Sequence, residues 1–475
     1  MLDVPAPVVR RWQPKRIFLG SFLMQRPGMR SLVVSVALIA AAGFAGFGLR
    51  PVAKAAAGSA VANATDGEIQ HAPLGYRGVA SCAAAACHNA ADPSTSKRSE
   101  YTVWLDRDRH ARAYIVLLEE RSRIIERNYR RLASVADARP ERDKLCLQCH
   151  ALDAGEHASS AINLEGVSCE RCHGSAEKWL STHYLAGWRE KSDAEKVAQG
   201  MTPTKNLLYR ARMCAACHIG TPEKDVNHDL YAAGHPPLYY EFSSYLGSMP
   251  RHWSQRDDKG RYPDFEIRAW AVGQVVSAQA ALELLAKRAD NHDEPWPEFA
   301  EYNCYACHHD LYGTSPRLLA EPPRGRKIGL LTWGTWFTPL LDAAVTTDTR
   351  DVANLKDLQT LRATMQHPSS DRVQVARLAK SVVQELAAWT AAEPRLDFAR
   401  DYADRLAQRL REQSAAADFA DWESATQRYL ARAALYHGRQ DFVGPDTSEK
   451  RELERMRDRL SFPPGFLSPA TFGKR

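Results

Sequence analysis

Long apolar runs are almost missing from this 475-residue sequence. One uncharged stretch stands out, SLVVSVALIAAAGFAGFGL at 31–49, so a polytopic membrane protein is excluded. Charge of one sign is scarce as well: 63 Lys+Arg against 57 Asp+Glu leave +6, too little to argue for nucleic acid unless the excess is local. Cysteine occurs only inside a few short motifs, which argues against an ordinary disulfide scaffold. What is present, 44% hydrophobic and 25% charged residues, suits a soluble globular chain and excludes a collagenous or wholly disordered one. The length fits two or three units, each able to bury a core.

Arg26 and Arg30 precede the apolar run, and Arg50 and Lys54 follow it. A basic flank, an apolar stretch and then small residues (Ala55, Ala56, Ala57, Ala62, Ala64) follow the order of an export signal. The run also approaches the roughly 20 residues that span a bilayer, so a cleaved signal and a retained anchor at 31–49 both stand. Met29-Arg30, just before the run, makes a more usual start than Met1. Arg10-Arg11 opens as a twin-arginine signal does, but the residues after it do not continue the pattern. Residues beyond 64 are expected in the periplasm or on the outer face of the cytoplasmic membrane.

All 10 cysteines fall in five sites. Four read C-x-x-C-H: Cys146, Cys149 and His150; Cys169, Cys172 and His173; Cys214, Cys217 and His218; Cys304, Cys307 and His308. The remaining site, CAAAACH, is the first along the chain and holds Cys82, Cys87 and His88 with four residues between the thiols. C-x-x-C-H is the attachment pattern of c-type haem. Two thiols add to the vinyl groups on one porphyrin edge, and the next histidine supplies the proximal nitrogen. A single copy could be a thioredoxin-like redox pair or half a zinc site. Four copies on an exported chain, each ending in His, argue for haem. At the CX4CH site a Cys82–Cys87 disulfide is the alternative, and the four copies beside it favour haem there too. Five covalent haem c groups are expected.

Each iron has a sixth position to fill. The exported part holds eleven further histidines against Met201, Met213, Met249, Met365 and Met456, so supply favours bis-histidine iron. His110 lies in WLDRDRHARAY, with small Ala111 and Ala113 beside it to admit a porphyrin face. His183 follows His173 closely, and His235 sits between Gly234 and Pro236, a turn able to aim its ring. His228 and His71 complete the set of candidate axial ligands. His309 neighbours a proximal ligand and cannot reach the opposite face of the same iron. His157, His252 and His292 carry no comparable cue, and His367 and His437 fall in a haem-free tail.

These motifs carry a family resemblance. Residues 76–184, with GYRGVASCAAAACH, WLDRDRHARA, CLQCHA and GVSCERCHGSAEKWLSTHY, resemble the cytochrome c-554 (c-552/4) family of multihaem cytochromes. The resemblance implies that His110 and His183 are distal haem ligands. It continues more loosely through CAACHIGTPEKDVNHDLYAAGHP to His228 or His235, and covers about half the chain. The CX4CH spacing and a fifth motif at 304–308 depart from the family's namesake, which carries four haems. Only an electron-transfer role is implied; the namesake's partner enzyme is not.

The expected fold is mainly α: residues 65–319 form a pentahaem cytochrome c domain with little regular sheet, where porphyrins supply much of the apolar core. Residues 1–64 form the signal or anchor. EPPRGRK at 321–327 marks a boundary, and residues 320–475 form a haem-free helical bundle. Phe265 to Lys287 reads as one helix. Three apolar stripes follow: Val375, Leu378, Val382, Leu386 and Trp389; then Phe398, Tyr402, Leu406 and Leu410; then Trp422, Ala425, Tyr429, Ala433 and Tyr436, which Gly438 is expected to stop.

The functional expectation is an electron carrier with unidentified redox-protein partners and no catalytic residue. The alternative is an oxidoreductase of small nitrogen or sulfur oxyanions acting at a five-coordinate haem; no CxxCK motif, common in such catalysts, occurs. A docking role for the C-terminal bundle is the third reading. Residues 1–64 carry eight Lys/Arg and one acidic residue, so the remainder of the chain is near −1. Propionates of five haems would bring it to about −6, a mildly acidic body suited to redox partners and not to nucleic acid.

Overall fold

The structure, a computed structural model, describes residues 75–90, 98–152, 160–304, 331–345, 355–367, 369–398, 400–412, 422–444 and 446–460. All of them belong to one compact unit, Asn63–Arg475. The apolar run at 31–49, His71, His157, Cys307, His308, His309 and the 321–327 boundary lie outside the described residues.

The fold is mainly helical, as expected. Among the described residues there is no strand, only isolated bridges at Thr221–Lys224 and Tyr302–Trp333. The first part is a run of short helices: α1 (Glu100–Arg107), α2 (Glu120–Arg130), α3 (Lys144–His150), α4 (Ser160–Asn163), α5 (Cys169–His173), α6 (Ala186–Arg189), α7 (Asp193–Ala198), α8 (Leu207–His218), α9 (His228–Ala233), α10 (Phe242–Ser248) and α11 (Gln255–Arg261). Longer helices follow: α12 (Phe265–Asp290), the short α13 (Leu341–Val345), α14 (Lys356–Met365), α15 (Arg372–Ala392), α16 (Arg400–Glu412), α17 (Trp422–Val443) and α18 (Thr447–Leu460).

Helix α12 is the centre of the core. Every residue from 267 to 279 is buried, which a helix tolerates only when neighbours cover all its faces. Those neighbours are α8, α10, α13, α15 and α17. Its length and hydropathy would also suit a membrane span, but 83% of its most apolar window lies inside the protein. One apolar cluster runs from Leu207 through α12 to Leu435, so motif-bearing α8 and the C-terminal helices share a core.

Helix α15 starts where Asp371 accepts hydrogen bonds from the Val373 and Gln374 amides. Its expected stripe, Val375 to Trp389, is wholly buried, and so is the second stripe, Phe398 to Leu410. The third stripe differs. Helix α17 buries Glu423, Ser424, Gln427, Ala431, Ala434 and Leu435, while Trp422, Ala425, Tyr429, Ala433 and Tyr436 are only half-buried. Polar residues take the inner face because they find partners there: Tyr239 Oη and Thr335 Oγ1 donate to Glu423, and Gln274 Nε2 donates to Gln427. Gly438 does not end the helix, which continues to Val443. A Cβ at Gly438 would sit 2.4 Å from Ile267 Cγ1, so this glycine permits close approach to α12.

Candidate haem-binding site

Three attachment motifs occupy the last turn of a helix, with the histidine as its final residue: His150 in α3, His173 in α5 and His218 in α8. Helical spacing puts cysteines three residues apart on one face and the histidine directly after the second. The longer Cys82–His88 site instead follows a short 3₁₀ turn at Val79–Ser81 and closes in a turn, with the Cys87 amide donating to Ala84 O at 2.8 Å.

Carboxylates hold this first site against the third. Glu170 is buried and accepts from the Arg77, Gly78 and Ala176 amides at 2.7–3.1 Å. Glu165 accepts from the Val79 amide, and Glu177 from the Gly75 amide and the Arg77 guanidinium. On the other side of the third motif, Arg171 donates to Gln148 O and Leu152 O in and beside the second motif. The thiols lie close enough across motifs to interact electrostatically: Cys82 with Cys169, and Cys149 with Cys217.

The histidines come together in pairs. His88 and His183 have ring centroids 6.2 Å apart with planes 13° from parallel. His110 and His218 are 6.0 Å apart at 82°, and His173 and His252 are 6.3 Å apart at 69°. Two imidazoles bound to opposite faces of one iron, with metal–nitrogen bonds of about 2 Å, place their centroids about 6 Å apart. Each pair joins one motif histidine to one from elsewhere in the chain. Among the described residues no group of three or more His, Cys, Asp or Glu gathers as a bare ion would need, whereas paired histidines suffice when a porphyrin supplies four nitrogens.

Second contacts fix which ring nitrogen is free. Nδ1 donates to Glu100 in His88, to Asp108 in His110, to Ala113 O in His150, to Leu180 O in His183 and to Pro236 O in His235. These oxygens can only accept, so Nδ1 carries the hydrogen and the Nε2 lone pair faces outward, as an axial ligand requires. Burial pushes His173 down to about 4 and also lowers His218, His235 and His252, keeping these rings neutral. The hydrogen bond that His110 donates to Asp108 instead raises the His110 basicity and locks its orientation.

The segment bearing His110 is set by backbone contacts: the Val167 amide donates to His110 O, and Trp104 Nε1 donates to Val167 O. Gly166 at φ +67° passes so close that a Cβ would lie 2.7 Å from His110 O. Thus His110 serves the fourth motif's side, while Ala113 of the same segment orients His150 of the second. His235 lies near His150, whose charge adds to the lowering of its basicity. His228 opens α9 beside Phe299, ring centroids 5.7 Å apart.

His252 is the partner that sequence reasoning missed. It lies in MPRHW at 249–253, and a cue was available: Pro250 two residues before it, a turn signal like the proline after His235.

Residues 81–174 match the model of the family described as cytochrome c554 and c-prime. A curated relative, cytochrome c-554 of Nitrosomonas europaea, is 30% identical over 96 residues, 17% of this chain and 39% of that protein. The chain therefore spans about two fifths of that relative's length. No solved structure matches the chain. The matched segment contains the first three attachment motifs and His110, the features by which this part of the chain is similar to c-type cytochromes. Within that class, the segment is similar to the cytochrome c554 family.

Proposed function

We propose that this protein is an exported electron carrier holding five covalent haem c groups, most of them bis-histidine. The three histidine pairs at 6.0–6.3 Å carry the reading, because each would hold one haem iron between its two rings. On this reading His88 pairs with His183, His173 with His252 and His218 with His110; His235 is the candidate partner of His150. Haem iron, when bound, supplies a one-electron Fe(III)/Fe(II) couple.

The chain's own groups then fix spacing and exclude exchangeable ligands. The Cys82–Cys169 and Cys149–Cys217 contacts bring attachment edges together, and Cys172 feels the charges of Cys214 and Cys217. The first four sites are therefore contiguous in the order first, third, fourth, second, which differs from their order along the chain. A fifth haem is supported by the surroundings of Cys304. It lines a narrow cleft of about 100 Å³, with walls from Ile219, Tyr231, Leu282, Trp333 and Trp336. Ile219 directly follows His218, so this cleft adjoins the fourth site. His228, one helical turn before Tyr231, is the ligand candidate there. Export through residues 31–49 and docking of basic redox partners on the mildly acidic body complete the proposal.

Intact mass of the secreted protein tests haem number: five haem increments are expected, and four would remove the CX4CH site or the fifth motif. EPR of the ferric protein tests the ligation. Low-spin signals with no CO-binding fraction after reduction fit a carrier, while a high-spin, CO-reactive haem would overturn full ligation and favour catalysis at an open iron.

A further inference from the structure

Between the two cysteines of the third motif stand Glu170 and Arg171, adjacent residues of opposite charge that face different ends of the haem region. Glu170 is only 2% exposed, and every hydrogen bond to its carboxylate comes from a backbone amide: Arg77, Gly78 and Ala176. Its negative charge reaches the Cys82 sulfur of the first site. Arg171 donates to the carbonyls of Gln148 and Leu152, and its Nη2 lies 4.0 Å from Cys217 Sγ. Its positive charge acts on Cys149 and Cys217, anchors of the second and fourth sites. Among the described residues neither charge is matched by an opposite one within 4 Å, so neither field is cancelled locally.

We propose that Glu170 and Arg171 are positioning residues that set a potential step across the haem region. Glu170 favours the oxidised state at the first site, and Arg171 favours the reduced state at the second and fourth. A negative charge held near an iron opposes the arriving electron, and a positive charge assists it; in a poorly solvated interior these effects persist where water would screen them. Exchange of one electron between the ends consumes nothing else, and the step makes the second and fourth sites the downhill end. The same residues tie the first and second motifs to the third, so geometry and potential are fixed by one dipeptide. This inference rests on the haem reading above.

The test is an EPR-monitored redox titration of the full secreted holoprotein and its E170Q, R171Q and R171K variants, after intact mass has counted haems. The sites can be told apart: near-parallel imidazoles, as in His88 with His183 at 13°, give a rhombic low-spin signal, and near-perpendicular ones, as in His110 with His218 at 82°, give a large-gmax signal. E170Q should raise the midpoint of the rhombic component. R171Q should lower a large-gmax component, while R171K, which keeps the charge, leaves it near wild type. Each shift should change the oxidised-to-reduced ratio at fixed potential on the order of tenfold. Unmoved midpoints in E170Q and R171Q, or shifts of the same sign, would overturn the proposal. If R171Q loses haem, R171K and E170Q still decide it. Absence of covalent haem in the wild-type protein would instead defeat the underlying reading.

Discussion

Trp270, Trp389 and Phe398 lie fully buried in one apolar cluster that spans residues 207–435. Among the described residues of 75–200 nothing is comparable: their apolar groupings are Tyr114, Leu117, Leu147 and Ala151 in one place, and Ala176, Trp179 and Trp188 in another. Yet the second region is no less specified. Its order comes from carboxylates on backbone amides, Arg171 on carbonyls, and paired histidines. The difference shows what each region needs to fold. Helices α12, α15 and α16 bring their own apolar faces, whereas the motif-bearing segments of residues 75–200 have only small apolar groupings between their histidines and thiols.

The largest effect should come from denying the first region its haems. In the full chain with Cys82, Cys87, Cys146, Cys149, Cys169 and Cys172 replaced by Ala, residues 98–152 should lose hydrogen-exchange protection while α12 and α15 keep theirs. Equal protection in both regions would break the comparison.

Next comes the apolar core. Leu386→Ala deletes a fully buried side chain from α15 and should cost about 2–5 kcal/mol. The thermal midpoint followed by far-UV circular dichroism should fall while the haem count by mass is unchanged. A loss of haem from the first three sites would show that the two regions fold as one.

The same contrast explains what could be read in advance. The attachment motifs left the clearest trace, since all 10 cysteines fall in five short sites that each end in histidine. The stripes of α15 and α16 were legible because their buried faces are purely apolar. The inner face of α17 was not, because Glu423 and Gln427 are buried by virtue of partners on Tyr239, Thr335 and Gln274, which periodicity cannot reveal. Gly438 read as a stop and proved a contact point, since its role depends on Ile267, distant in sequence. His110 and His183 were selected from local cues, small alanines beside the one and closeness to His173 for the other, and again through resemblance. His252 was hidden because its meeting with His173 is a product of the tertiary fold.

A smaller effect tests whether α15 is secured by its face or its end. Asp371→Ala removes two amide acceptors at the helix start and should cost about 1 kcal/mol. Guanidinium denaturation followed at 222 nm would measure it, and a cost near that of Leu386→Ala would mean that the cap rivals the core.

The smallest effect should come from Glu177→Gln, which separates ties that hold the haem region from ties that only decorate it. Glu177 meets Arg77 at 3.1 Å, but both side chains are well exposed, at 36% and 48%, so solvent weakens the pair and the change should cost less than about 1 kcal/mol. The glutamine carbonyl can still accept from the Gly75 amide. Glu170 is buried with backbone amides on both carboxylate oxygens, so a glutamine NH2 there would face another donor. Thermal melts of the holoprotein at low and high salt compare the two directly. If Glu177→Gln matched Glu170→Gln in either melt, the surface carboxylate would be as structural as the buried one, and the docking of residues 75–79 would depend on charge count instead of on burial.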